Sequence, residues 1–128
     1  MYTNKEVFVL IRFSTGEELQ TGTIFGKQEM IRGAIREALE IHFDKDCTYE
    51  QLKGLFVDGA KFSVVETIMD ENTGNITENV YPKNEYIMSG PITDNRDGSF
   101  IVYMGTLTEN ERLAEENAEL LLMLVGGE

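Results

Sequence analysis

The chain has 128 residues, 41% hydrophobic and 27% charged, with 23 Asp and Glu against 11 Lys and Arg for a formal net charge of −12. That length suits one domain with its own core, and the apolar content excludes an intrinsically disordered chain. Net negative charge repels phosphate backbones, so direct DNA or RNA binding is not expected; it fits a protein dispersed by its acidity or one that imitates nucleic acid against a basic groove.

The amino terminus is polar, and its first apolar run, Val7 to Ile11, is too short for a signal peptide or a membrane span. A single cysteine, Cys47, cannot form an intramolecular disulfide and points to a reducing, cytoplasmic setting. Val7 to Phe13 is a β-branched and apolar run interrupted only by Arg12, the pattern of a central strand covered on both faces. Ser14 to Glu17 reads as a tight turn into a hairpin partner, Leu19 to Phe25, interrupted at Gly22.

From Gln28 to Phe43, the residues Met30, Ile31, Ala34, Ile35, Ala38, Leu39 and His42 recur at the spacing of one helical face, which predicts the main helix. Thr48 with Gln51 has capping-box spacing and predicts a short second helix with Leu52, Leu55 and Phe56 inward, ended by Asp58-Gly59. Strands are expected over 62–69, 76–81, 85–88 and 99–104, separated by the turn-rich stretches 70–75, 82–84 and 94–98 and joined as an antiparallel meander. Thr108 with Glu111 is a second capping box, opening a terminal helix free of Pro and Gly until Gly126. On it Leu113, Asn117, Leu120 and Leu124 are spaced four, three and four apart, a two-heptad seam with one Asn at an a-like position. Such a stripe either pairs with a second copy or packs on its own domain.

These elements predict an α+β fold: an antiparallel sheet of five or six strands packed on one main helix, with a short second helix and a C-terminal dimerisation helix. Residues 1–107 form the core domain, and 108–128 belong to the same domain or to its dimer contact.

Signals for catalysis are absent from this pattern. His42 and Cys47 are the only His and Cys, too few for a structural zinc site, and the acidic turns lack the Glu that completes a calcium loop. His42 falls on the apolar stripe of the expected helix, where a core histidine is the ordinary outcome. No phosphate-cradling glycine loop, dinucleotide fingerprint or nucleophile elbow occurs. A non-catalytic protein without metal or cofactor is therefore expected.

Arginine is scarce and carries more information. Arg32 and Arg36 stand one helical turn apart with Gly33 between them, and a mid-helix Gly costs about 1 kcal/mol relative to Ala. Both are candidate ligand-binding cations; the alternative is pairing of Arg32 with Glu29 and Arg36 with Glu40, with Gly33 admitting a neighbouring strand. Asn95 and Asp97 in the turn 94–98 offer groups able to hold ribose hydroxyls. Arg112 sits in the first turn of a helix, where the dipole favours anions; a ligand phosphate or Glu109 or Glu116 would account for it.

The closing segment ENERLAEENAELLLMLVGGE resembles the acidic, leucine-rich helical tails of small phage proteins. An Arg on the first helix (Arg32), an Asn-x-Asp turn (Asn95, Asp97) and an Arg early in the terminal helix (Arg112) resemble the Thoeris anti-defence sponge family of phage proteins, whose members sequester cyclic ADP-ribose isomers. The resemblance implies a phage protein acting in the cytoplasm of its host bacterium. It also implies a homodimer or higher homo-oligomer with ligand pockets between protomers. In that site Arg32 and Arg112 neutralise the pyrophosphate, Asn95 and Asp97 bind ribose hydroxyls, and Tyr86 or Tyr81 stacks on adenine. The rival expectations are an acidic nucleic-acid-mimicking inhibitor of a host defence enzyme and a phage structural or assembly accessory protein.

Overall fold

The computed structural model describes residues 5–44 and 46–126. Eight strands and two helices follow in the order β1 (Lys5–Phe13), β2 (Glu18–Gln20), β3 (Ile24–Ile31), β4 (Ala34–Phe43), α1 (Tyr49–Leu55), β5 (Phe62–Asp70), β6 (Ile76–Pro82), β7 (Met88–Asp94), β8 (Phe100–Gly105) and α2 (Glu109–Gly126). The strands form two four-stranded antiparallel sheets, ordered β2-β1-β5-β6 and β3-β4-β8-β7. The class is α+β as expected, but the single five- or six-stranded sheet is replaced by two sheets that fill one core.

Because side chains alternate across a strand, each sheet sends every second residue inward. Ile11, Phe13 and Phe62 from the first sheet meet Leu39, Ile41, Phe43, Val102 and Met104 from the second. Helix α1 closes one end of this core with Leu52 and Phe56. Its start is set by Thr48, whose hydroxyl accepts from the Gln51 amide at 3.2 Å, as the capping-box spacing predicts. The Phe56 ring lies 5.0 Å from Phe13 and 5.8 Å from both Phe43 and Phe62, edge to face with each.

The expected main helix over 28–43 does not exist; the segment is the β3–β4 hairpin. Ile31 pairs with Ala34 and Met30 with Ile35 across a two-residue turn, Arg32-Gly33. Both turn residues are left-handed, at φ 49° and 78°, the requirement of a type I′ turn, whose twist matches that of the strands it joins. Gly33 is thus a hairpin residue and not a helix sacrifice. A side chain at Gly33 would meet open space, so its substitution is opposed by backbone conformation alone. Gly33→Ala lowers the unfolding free energy by about 1 kcal/mol and Arg32→Asn, which creates the favoured Asn-Gly pair, raises it, as read from urea midpoints. A helix at this place requires the opposite sign for Gly33→Ala, which makes the pair of variants a direct check of the hairpin.

The first sheet also departs from expectation. Strand β1 lies between β2 and β5, but its two faces differ: Ile11 and Phe13 on one are buried, while Phe8 on the other is exposed, as is Val7 near the strand's start. Arg12 interrupts the apolar run because it lies on the outer face, paired with Glu18 at 2.5 Å and Glu78 at 3.0 Å. In the register of the sheet this bridge to β6 passes over Val65, which is fully buried beneath it.

The chain changes sheets between β2 and β3. Thr21 donates to the Val9 carbonyl of the first sheet, whereas Gly22 donates to the His42 carbonyl and Thr23 accepts from the His42 amide in the second. A Cβ at Gly22 would lie 2.5 Å from the Asp44 carboxylate, so a larger residue there displaces that exposed side chain. The expected strand over 85–88 is displaced to Met88–Asp94, with a register irregularity between Ser89 and Ile92.

Helix α2 begins as predicted. Thr108 accepts from the Glu111 amide at 3.2 Å and its own amide donates to Glu111 Oε1 at 2.8 Å, a complete capping box. Among the described residues no helix is long and apolar enough to cross a membrane.

Candidate functional site

Where the chain passes from β2 in the first sheet to β3 in the second, a cleft of about 420 Å³ opens between the sheets. Its walls are apolar: Val9 and Val64 from the first sheet, Ile24 and Leu39 from the second. Tyr81 and Lys83 complete it from β6 and the residue following that strand. Strand register explains their placement. Tyr81 pairs with Val64, which pairs with Ile11, so the three side chains share the inward face. Lys83, two residues on, falls on the same face and is tied to the sheet by its amide, which donates to the Phe62 carbonyl at 2.9 Å.

Beyond Tyr81 the inner face of the second sheet ends, which leaves the phenol 48% exposed. Lys83 forms no ion pair among the described residues, whereas Lys27, Arg12, Arg32 and Arg36 each do. An apolar-walled cleft with an aromatic ring and one free ammonium at its mouth is equipped to hold a ring-bearing anion. Its volume lies within the range of about 300–1,000 Å³ common to small-molecule sites.

Of the seven residues singled out from the sequence, Tyr81 lines this cleft, and the other six do not converge within one chain. Arg32, in the β3–β4 turn, binds Asp58 at 2.8 Å and the Ser89 hydroxyl at 2.8 Å, and this ion pair together with the Ser89 amide holds the Asp58 carboxyl below its usual value. Arg36, on β4, is only 3% exposed. Its Nε donates to the Ile31 carbonyl at 2.8 Å, one terminal nitrogen to the Thr106 carbonyl at 3.1 Å, and both terminal nitrogens to the Glu111 carboxylate. The predicted alternatives for these cations, Glu29 and Glu40, are therefore not their partners. Arg36 is a structural rivet that fastens the root of α2, and every nitrogen of its fork is occupied.

Arg112 is exposed on the first turn of α2 beside that root. Tyr86 is half-buried in a separate crevice with Gln28 and Glu37, where burial pushes its phenol up. Asn95 and Asp97 occupy the β7–β8 turn and are absorbed by it: Asn95 Nδ2 donates to the Ser99 hydroxyl at 3.0 Å, and Asp97 accepts from the Ser99 amide at 3.0 Å. That turn lies at the opposite end of β8 from the Arg36 cluster, a separation of roughly 17 Å at strand rise.

His42 is likewise not a core histidine on a helix. It stands on β4, where Nε2 lies 2.8 Å from Glu40 and the ring stacks on Phe25 at 5.8 Å. Glu40 is buried, which works to raise its carboxyl, but the hydrogen bonds from His42, Tyr103 and Lys27 together hold it low. Cys47 packs against the core cluster on the other side of the sheet, and burial, then the charge of Asp46, push its thiol up. The pair forms no hydrogen bond and lacks a lowered thiol, the two features of a Cys-His nucleophile. Among the described residues no three His, Cys, Asp or Glu side chains gather as a metal site.

Sequence reasoning did not single out the cleft, because its walls come from five strands that become neighbours only through the closing of the two sheets. The one available signal was Tyr81-Pro82-Lys83, whose i and i+2 residues must share a face if the segment is a strand. No family model, curated protein or solved structure matches the chain.

Proposed function

We propose that this protein is a non-catalytic binding protein that holds a small ring-bearing anion in the cleft between its sheets. The observation that carries this reading is Lys83, an ammonium with no ion pair among the described residues, beside an exposed tyrosine and an apolar wall in a chain whose net charge is −12. In such a chain a cation left without a carboxylate attracts an anion against the general field, and the low-dielectric wall strengthens that attraction. Taken with the likeness to the phage sponge family, the ligand proposed is a cyclic nucleotide of the cyclic ADP-ribose type. Its base would lie on Tyr81 and a phosphate would meet Lys83.

Calorimetric titration with cyclic ADP-ribose isomers tests this. The parent protein binds, while Lys83→Ala and Tyr81→Ala each weaken binding about tenfold or more, as expected for one charge-assisted bond or one stacked ring. Arg32→Ala and Arg112→Ala leave it unchanged. Loss of binding in the two arginine variants instead would move the site to the root of α2, and absence of heat in the parent removes the nucleotide.

A protein-binding role, as an assembly accessory or an acidic inhibitor, is favoured by a different observation. Helix α2 carries Glu109, Glu111, Glu115, Glu116 and Glu119 against the single Arg112, and its side chains 112–120 are all exposed. Co-purification with virions supports the accessory. Salt-sensitive association with a basic host enzyme supports the inhibitor.

A further inference from the structure

Helix α2 is 18 residues long, yet among the described residues the body bonds it only at its first turn. From Arg112 to Leu120 every described side chain is exposed, Leu113 by 45% and Leu120 by 57%. The attachment defines which face is free. At about 100° per residue, Glu111 lies roughly 150° round the helix from the line joining Leu113, Asn117 and Leu120. The body therefore grips α2 on the side opposite its apolar seam, and the seam faces away from its own domain. Own-domain packing, one of the two outcomes open from the sequence, is not what these side chains do. Leu124, the fourth member of the seam, lies outside the described side chains.

We propose that the seam of α2 is a self-association surface whose occupant is α2 of a second copy, parallel and in register. Three properties select a second copy. With Leu113 and Leu120 at d positions and Asn117 at a, the carboxylates Glu111, Glu115 and Glu119 fall at b, f and c, all facing away from a partner helix. A helix this acidic can thus meet its own copy without opposing like charges in the seam. Flanking the seam, Glu109 at a g position meets the e position of the following heptad, which is Ala114, not another carboxylate. Asn117 is self-complementary, because one carboxamide donates to and accepts from an identical one, so the side chain that best satisfies it in an apolar seam is another Asn117. Parallel register follows because it sets Leu113 on Leu113 and Leu120 on Leu120 and keeps the apolar run from Leu120 to Val125 together. An antiparallel pair would lay that run on the polar stretch Asn110 to Leu113.

Analytical ultracentrifugation of the full chain at micromolar concentration tests the surface. The parent sediments at twice the chain mass, and the double variant Leu113→Lys, Leu120→Lys at the chain mass while keeping a cooperative unfolding transition whose midpoint no longer depends on protein concentration, since neither leucine belongs to the core cluster. A monomeric parent, or a dimer that survives the double variant, overturns the proposal. Asn117→Leu shifts the parent to larger assemblies, as expected when the residue that selects pairing is lost; an unchanged dimer would overturn its role. Asn117→Cys in a Cys47→Ser background forms an interchain disulfide on mild oxidation, and failure to crosslink while remaining dimeric excludes parallel register.

Discussion

Phe56→Ala lowers the unfolding free energy by about 4 kcal/mol, a value at the upper end of what one core truncation removes. Three features put it there. Phe56 is the C-cap residue of α1 and inserts among Phe13, Phe43 and Phe62, so truncation loses three edge-to-face ring contacts as well as buried area. The rings come from β1, β4 and β5, strands of both sheets, so the space cannot be refilled by moving one element. Leu52, fully buried one turn earlier, loses its neighbour and the helix its hold on the core. Guanidinium denaturation measures the loss. A drop under about 2 kcal/mol would mean that the end of the core collapses onto the gap and α1 is not a plug.

Arg36→Ala lowers stability by about 3 kcal/mol, the magnitude of breaking a buried charged network. The truncation strands the Ile31 and Thr106 carbonyls and removes the partner of Glu111. Because these bonds hold the root of α2, the same variant frees the helix from the body, and limited proteolysis cuts near 106–111 before the sheets unfold. Arg36→Lys recovers only part of the loss, since an ammonium cannot supply the fork that reaches two carbonyls and a carboxylate.

The Glu111 carboxyl carries a pH signature of this network. Its hydrogen bonds from Arg36, then from the Thr108 amide, lower it from the usual 4.5 to about 2. The unfolded chain therefore takes up its proton at a higher pH than the folded chain does. The contribution is complete above about 4.5 and disappears as the pH falls through about 2. Glu111→Gln keeps a side chain able to cap the helix and abolishes this dependence. Urea midpoints measured across that window decline in the parent and flatten in the variant; parallel curves would show that Glu111 is not the titrating group.

The segment 28–43 shows why local pattern and final structure part. In a hairpin with a two-residue turn, residues pair symmetrically about the turn, so Met30 and Ile31 face Ile35 and Ala34. Apolar doublets at 30–31, 34–35 and 38–39 then repeat every four residues, which imitates a helical stripe. The imitation is reinforced in β4, an interior strand of its sheet, where Ala38 to Ile41 are buried on both faces and alternation vanishes. Arg32-Gly33 held the decisive information, because Gly tolerates the left-handed backbone that a two-residue turn demands and a helix interior does not reward it. The four-spaced stripe made the same glycine look like a cost within a helix.

The candidate site divides along the same line. Arg32, Arg36 and Arg112 were noticed because they are rare, and Arg32 and Arg36 prove to be consumed by Asp58 and Glu111, carboxylates 26 and 75 residues away. Lys83, which forms no ion pair among the described residues, is marked in the sequence only by its place two residues after Tyr81.

What the amino-acid order determined alone is everything whose cause lies within a few residues. Thr48 and Thr108 start their helices by bonding amides three positions on, Gly16 turns β1 into β2, and Asp94 to Gly98 close a hairpin through their own side chains. Acidity and the seam on α2 were equally legible. Tertiary structure alone decided the division into two sheets, the burial of Arg36 and the opening of the cleft. Each depends on which distant strands share hydrogen bonds and which carboxylate reaches a buried cation, and those energies enter only when the whole chain has closed on itself.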